Sequence, residues 1–293
     1  LSCIMTRLTF LGTGGGRFVT LTQERSTGGI YLEDGYRVHI DPGPGALHAL
    51  KRNRIDPIQT NGIIISHCHP DHYLDAEILM EGINTGRREK RGFLIAARSV
   101  TVGRDKVGPA ISRYHQEKME TVLTVAPGEE FEIGKLKGTA TPAVHSDPDS
   151  VGFRFETRDG VISYISDTEL RDEVIEPHVG SRVLIIASTR PLRSPIPFHL
   201  STEDVAIIAE KVKPEVVFMT HLGKKFLKEG PRKQSRWVEE MTGVKTVAAE
   251  DDMRVLVRGS IEVISRRRNR RFRIKPFNLK EGLDESSGEG PGD

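Results

Sequence analysis

The run Ser66-His67-Cys68-His69-Pro70-Asp71-His72 constrains this chain more than any other stretch. It crowds imidazoles and a carboxylate into one short loop, directly after the apolar residues Ile63-Ile64-Ile65. A β-branched apolar run ending in such a loop reads as a buried strand that opens onto a site. Imidazole and carboxylate are the side chains that bind a borderline metal such as zinc. In an extended or tightly turned loop, His67 and His69 point one way and Asp71 and His72 another, so one loop can serve two adjacent ions. The competing reading is a solvated, His-rich loop.

Other polar residues end strand-like runs elsewhere. Asp41 follows Arg37–Ile40, His145 follows Thr139–Val144, Asp167 follows Val161–Ser166 and His221 follows Val216–Thr220. Strand ends along one rim of a sheet are where α/β proteins build their sites. In order and spacing, Asp41, His67-x-His69-x-Asp71-His72, His145, Asp167 and His221 resemble the metallo-β-lactamase superfamily, over roughly Thr6 to Val257. The resemblance implies an α/β fold: a four-layer αβ/βα sandwich of two mixed β-sheets flanked by helices, with metals at one sheet edge. It implies that His67, His69 and His145 hold one divalent ion and that Asp71, His72 and His221 hold a second. Asp167 then bridges them beside a shared water or hydroxide. Zinc is the expected metal, with manganese or iron as alternatives. Two such ions about 3.5–4 Å apart lower the pKa of a bridging water and clamp an oxyanion. Asp71, Asp41 and His199 are the expected catalytic residues. Asp41 is expected to orient a ligating His from behind, held by the turn Pro42-Gly43-Pro44-Gly45.

The length fits one large or two small domains. Strands are expected at 8–11, 29–32, 37–40, 62–65, 93–96, 121–125, 131–133, 136–140, 151–156, 161–165, 183–187, 216–219 and 255–257. Helices are expected at 46–52, 74–81, 202–212 and 230–241, the third capped by Ser201 with acids in its first turn. The Gly-rich Leu11-Gly12-Thr13-Gly14-Gly15-Gly16-Arg17 lacks the Gly-Lys-Ser/Thr of a phosphate loop. It reads as a plain turn with no helix after it, and resembles the N-terminal turn of the tRNA 3′-processing ribonuclease branch.

Net charge is +2, so global charge does not argue for nucleic acid. The 2 cysteines, Cys3 and Cys68, make no disulfide framework, and Cys68 reads as a bystander between ligands. No stretch has the ~18 apolar residues of a membrane helix, and the start lacks a secretory pattern. A cytoplasmic protein without a membrane partner is expected, with Met5 as a candidate start. Residues 5–260 are expected to form the hydrolase domain. Residues 261–293 are expected to hold a basic segment, Ser265–Lys275, and then an acidic, Gly/Ser-rich tail. The basic segment reads equally as an edge strand or as a phosphate-binding arm.

The substrate expectation rests on His199, in Pro197-Phe198-His199-Leu200-Ser201-Thr202. Leading into a helix and then a strand ending in Thr-His, it resembles the branch of ribonuclease Z and the cyclic phosphodiesterases. There an extra His contacts the scissile phosphate and protonates the leaving oxygen. Arg154, Arg190 and Arg193 are candidate phosphate contacts. The segment Asn84–Lys118, with Gly86-Arg87-Arg88-Glu89-Lys90-Arg91, is short for the tRNA-gripping arm of ribonuclease Z. The expected function is a dinuclear metal hydrolase acting on a phosphodiester, with RNA among the candidate partners and a homo-oligomer open. The alternatives are a thioester or lactone hydrolase of the glyoxalase II type and a non-catalytic RNA-binding member. A di-iron oxidoreductase ranks below these.

Overall fold

The computed structural model describes residues 5–85, 89–105, 108–265 and 270–274. Its first sheet contains β1 (Thr6–Phe10), β2 (Ile30–Glu33), β3 (Arg37–Ile40), β4 (Gly62–Ile65), β5 (Phe93–Ala97) and β6 (Thr121–Val125). The second contains β7 (Glu130–Ile133), β8 (Leu136–Pro142), β9 (Val151–Thr157), β10 (Gly160–Ile165), β11 (Val183–Ala187), β12 (Val216–Thr220) and β13 (Thr246–Ala248). The chain then returns to the first sheet as β14 (Met253–Val257), β15 (Ile261–Ser265) and β16 (Arg270–Ile274).

The sheet orders are β16-β15-β14-β1-β2-β3-β4-β5-β6 and β13-β12-β11-β10-β9-β8-β7. Both are mixed. In the first, β3 to β6 run parallel and the rest antiparallel; in the second, β10 to β13 run parallel and β7 to β10 antiparallel. Parallel strands are buried on both faces and read as unbroken apolar runs, as Ile63-Ile64-Ile65 and Val183-Leu184-Ile185-Ile186 do.

Alternation along those strands sorts residues into layers. Val183, Ile185, Val216 and Phe218 join the core between the sheets, where the Phe10 and Phe218 rings lie 5.4 Å apart. Leu184, Ile186, Val217 and Met219 face the other way, onto Val205, Ile208 and Ala209 of the Thr202–Val212 helix and Val238 of the Pro231–Thr242 helix. On the first sheet, Leu50 of the Ala46–Asn53 helix and Leu79 and Ile83 of the Ala76–Asn84 helix complete the packing. The four-layer arrangement follows from these two-faced strands.

Several expectations change. The first sheet continues past residue 260: β15 and β16 form antiparallel pairs with β14 and with each other. The described part of the basic segment is an edge strand, with Arg271 paired to Glu262. Residues 266–269, 275 and the acidic tail lie outside the described residues, as do 86–88 and the first four residues. Within Asn84–Lys118, the described chain supplies β5 to the sheet. The residues after the Gly-rich turn do form a helix, Gly16–Thr22.

Candidate metal centre

The candidate donors sit on loops at one rim. Asp41 follows β3, His67 follows β4, His145 follows β8, Asp167 follows β10 and His221 follows β12. Backbone bonds fasten the sheets together there: Val151 N–H donates to Ser66 O at 3.1 Å, Leu222 N–H to Thr13 O at 2.8 Å and Gly15 N–H to Leu222 O at 3.3 Å. Pro70 starts a short helix, Pro70–Tyr73, which turns Asp71 and His72 away from His69.

The donors converge. His69 Nδ1 lies 3.0 Å from His67 Nε2 and 3.1 Å from His145 Nε2. One ring nitrogen cannot satisfy two others with a single proton, whereas three imidazoles around zinc at about 2.0–2.1 Å stand about this far apart. A second group lies beside it. His72 Nε2 is 3.2 Å from His221 Nε2, and His221 Nε2 is 3.2 Å from Asp71 Oδ2. Asp167 stands between the groups, with Oδ2 3.7 Å from His72 Nε2 and 3.9 Å from His145 Nε2. His199 Nε2 is 3.7 Å from the same Oδ2. His67, His69 and His145 form one set of converging donors, and Asp71, His72 and His221 another.

The surroundings set the inward-facing atoms. Ser66 Oγ–H donates to Asp41 Oδ2 at 2.7 Å, so Ser66 Oγ accepts from His67 Nδ1–H at 3.0 Å. His72 Nδ1–H donates to Asp41 Oδ2 at 2.9 Å, and His145 Nδ1–H to the Phe198 carbonyl at 3.0 Å. With Nδ1 engaged outward, the Nε2 atoms of His67, His72 and His145 point at the centre. This is how outer partners orient metal-binding imidazoles. Asp41 also accepts from Ser66 N–H at 2.7 Å and from Tyr164 O–H at 2.8 Å. Its residue adopts φ +50°, which aims the carboxylate back at the rim.

Charge follows the same division. Burial, helped by neighbouring His72, holds His67 well below the usual imidazole range. Burial likewise lowers His69, and lowers His145 to about 4, so this triad is neutral near pH 7. Burial also disfavours charge on His72, but Asp71 and Asp41 outweigh it and raise it well above the usual range. Asp167 is fully buried, yet His221 and His72 overcome that burial and keep it ionised. Its Oδ1 lies 3.1 Å from His221 Nδ1. A buried carboxylate whose Oδ2 faces a nitrogen of each group suits a ligand shared by two cations. The donor set therefore fits a metal pair.

Several contributors carry no local sequence signal. Tyr164 reaches Asp41 only because β10 packs across from β3. Asp147 accepts from Ser99 Oγ–H at 2.5 Å and from Cys68 N–H at 3.0 Å, tying the His-rich loop to the His145 loop. Cys68 belongs to none of the converging donor groups among the described residues, and burial pushes its thiol up to about 11. The Gly-rich turn is part of the site: Gly16 N–H donates to Asp71 Oδ2 at 2.9 Å. Of the candidate arginines, Arg154 donates to the Pro177 and Val179 carbonyls and Arg190 to the Ser194 carbonyl.

The fold and donor set define a metal-dependent hydrolase class. Residues 36–222 match the family described as the beta-lactamase superfamily domain, and the chain belongs to that family. It is 39% identical over 249 residues to an uncharacterised protein of Methanocaldococcus jannaschii, covering 84% of this chain and 93% of the relative. It is 34% identical to ribonuclease Z of Thermococcus sibiricus over 87 residues, 29% of this chain and 28% of that protein. Among solved structures, the metallo-β-lactamase fold protein YhfI of Bacillus subtilis superposes with a TM-score of 0.69 at 17% identity, over 85% of this chain and 98% of that one. A diphosphatase of the PhnP family superposes at 0.65 with 22% identity, over 85% and 96%. No helix among the described residues is long and apolar enough to cross a membrane.

Proposed function

We propose that this protein is a dinuclear metal phosphodiesterase. His67, His69 and His145 would hold one ion, Asp71, His72 and His221 the other, with Asp167 between them. When bound, such a pair supplies Lewis acidity and a water of lowered pKa. The chain does the rest. Asp41 fixes His72 and, through Ser66, His67. Gly16 N–H holds Asp71 in place.

The observation that carries the reading is His199. It stands outside both triads, yet its Nε2 faces Asp167. Its Nδ1–H donates to the Pro197 carbonyl at 3.0 Å, which fixes the ring. His199 is part-exposed, so it can meet a substrate oxygen. In the proposed reaction a water that has lost a proton to solvent forms a new O–P bond as the P–O bond to the leaving oxygen breaks, and His199 Nε2–H gives that oxygen its proton. The partial match to ribonuclease Z supports a phosphodiester as substrate.

The test compares parent and His199→Ala on two diesters and on a lactoylglutathione-type thioester, with metal content measured throughout. A dinucleotide leaves as a basic alkoxide and needs the proton; its turnover falls about a hundredfold or more. Bis(p-nitrophenyl) phosphate leaves as a stabilised phenolate and loses much less. Thioester turnover without diester turnover replaces this reading with the glyoxalase II type of hydrolase.

A further inference from the structure

Away from the metal rim, the first sheet carries a second cavity, of about 470 Å³. Small-molecule sites run to ~300–1,000 Å³. Strand alternation builds its floor. Phe10 packs against Phe218 of the second sheet, so Thr9 and Arg7 face the other way. Thr9 stands opposite Arg254 on β14 and Tyr31 on β2, and Arg7 stands opposite Glu33. Directly opposed residues of antiparallel strands share a face, so Tyr31, Thr9 and Arg254 make one row and Glu33 and Arg7 the next. Arg37, opposite Glu33 at the start of β3, extends the second row. The wall is the chain leaving the Ala46–Asn53 helix, which Arg54 ends at φ +57°.

Four guanidiniums line this cavity, those of Arg7, Arg37, Arg54 and Arg254, against the two carboxylates of Glu33 and Asp56. Arg7 and Arg37 share Glu33, at 3.2 and 3.6 Å. Arg54 is exposed and has no ion-pair partner among the described residues. Arg254 Nη2–H donates to the Asn53 carbonyl at 2.8 Å, which fixes that guanidinium. Thr9, on the floor, is 1% exposed, and its Oγ1 has no hydrogen-bond partner among the described residues. A buried hydroxyl left so is costly unless a ligand or a water meets it.

We propose that this cavity binds a phosphomonoester of a small, hydroxyl-bearing molecule. Such a group carries close to two negative charges at pH 7, which balances the two guanidiniums in excess of carboxylates. Guanidinium forks match phosphate oxygens, and Thr9 O–H donates to one of those oxygens. The space exceeds a bare phosphate, and Ile55 is the one aliphatic residue among those lining it, so the organic body is polar. The site is separate from the metal centre: Arg37 opens β3 and Asp41 follows its far end, about 13 Å along an extended strand. It does not depend on the phosphodiesterase reading.

The test is calorimetric titration of ribose 5-phosphate into the metal-loaded full chain, with ribose and succinate as comparison probes. It uses the parent, Arg54→Gln and Thr9→Val, the last of which keeps the shape and removes the hydroxyl. Expected are saturable binding of ribose 5-phosphate, none of ribose, and an affinity lowered about tenfold or more in each variant. The urea midpoint of Thr9→Val should equal or exceed the parent's, and diester turnover should be unchanged in both variants. Because Arg54 is exposed, Arg54→Gln reads the site even where Thr9→Val misfolds. Binding that neither variant weakens belongs to the metals and overturns the proposal. Weakening by Arg54→Gln alone, with Thr9→Val folded, reduces the site to a charged surface and overturns it too. Tighter binding of succinate overturns the phosphate assignment, and no saturation at low-millimolar ligand overturns the site. Each of these failures leaves the phosphodiesterase reading standing.

Discussion

Gly15 lies against His221 so closely that a Cβ on Gly15 would stand 2.2 Å from the imidazole carbons. Gly15 has φ −158°, extended backbone that any residue adopts. The restriction is therefore steric, not conformational. Gly15→Ala should push the His221 ring out of line with Asp71 and His72. Expected are an unchanged circular dichroism spectrum, affinity for the second metal equivalent lowered at least tenfold, and diester turnover lowered about a hundredfold. Equilibrium dialysis with metal analysis checks the first effect directly.

Asp41 gathers four donors: Ser66 N–H, Ser66 O–H, Tyr164 O–H and His72 Nδ1–H. Asp41→Asn keeps the shape but sets an amide N–H2 against groups that themselves donate. Metal affinity should fall about 10- to 100-fold, the range seen for such supporting partners. Tyr164→Phe removes a single donor and should cost about 1 kcal/mol of stability with a smaller loss of metal. Paired chemical denaturation and metal titration separate the two effects.

Asp251 pins the Gly-rich turn from below. Its carboxylate accepts from Thr13 N–H at 3.0 Å, Thr13 O–H at 2.6 Å and Ser26 N–H at 3.0 Å. Asp251→Ala strands buried backbone donors and should destabilise the fold by about 2–4 kcal/mol, read as a lowered urea midpoint. It also frees the turn that carries Gly15 and Gly16, so metal affinity should fall with stability. Addition of excess metal should recover part of the midpoint, because binding to the folded state alone stabilises it.

His178 is fully buried, and neither of its ring nitrogens has a hydrogen-bond partner among the described residues. Burial, aided by Arg154, lowers it to about 3. The unfolded chain binds a proton near pH 6.5 that the folded chain refuses until about pH 3. Stability contributed by neutral His178 is thus complete above about pH 6.5 and falls as pH falls toward 3. His39 and His145, both lowered to about 4 by burial, act in the same direction. Denaturant midpoints between pH 7 and 4 should drop steeply for the parent and less steeply for His178→Met. An identical slope would remove His178 from the account.

Much of the architecture was legible because its cues are local. The buried strands announce themselves as apolar runs, and the Thr202–Val212 helix by its capping box of Ser201 and Asp204. The Gly16–Thr22 helix escaped because its start has no capping side chain: Gly15 offers none, and the Gly16 N–H is satisfied instead by Asp71, 55 residues away. The arginines after the Ile261–Ser265 strand fit an edge strand and a phosphate-binding arm equally, so the sequence alone leaves that choice open. Strand Thr246–Ala248 is too short and mixed to stand out alone; it forms because β12 offers it an edge.

The sequence by itself determined which atoms could be ligands. His67, His69, Asp71 and His72 lie within one loop, so their chemistry and spacing are local facts. It also marked Asp41, His145, Asp167 and His221 as polar ends of apolar strands. Only the tertiary structure decided that these ends share one rim, that His221 meets Asp71 across 150 residues, and that Tyr164 closes the shell around Asp41. The reason is physical. A strand's apolar pattern states that it is buried, not which strand lies beside it, and convergence of donors depends on that pairing.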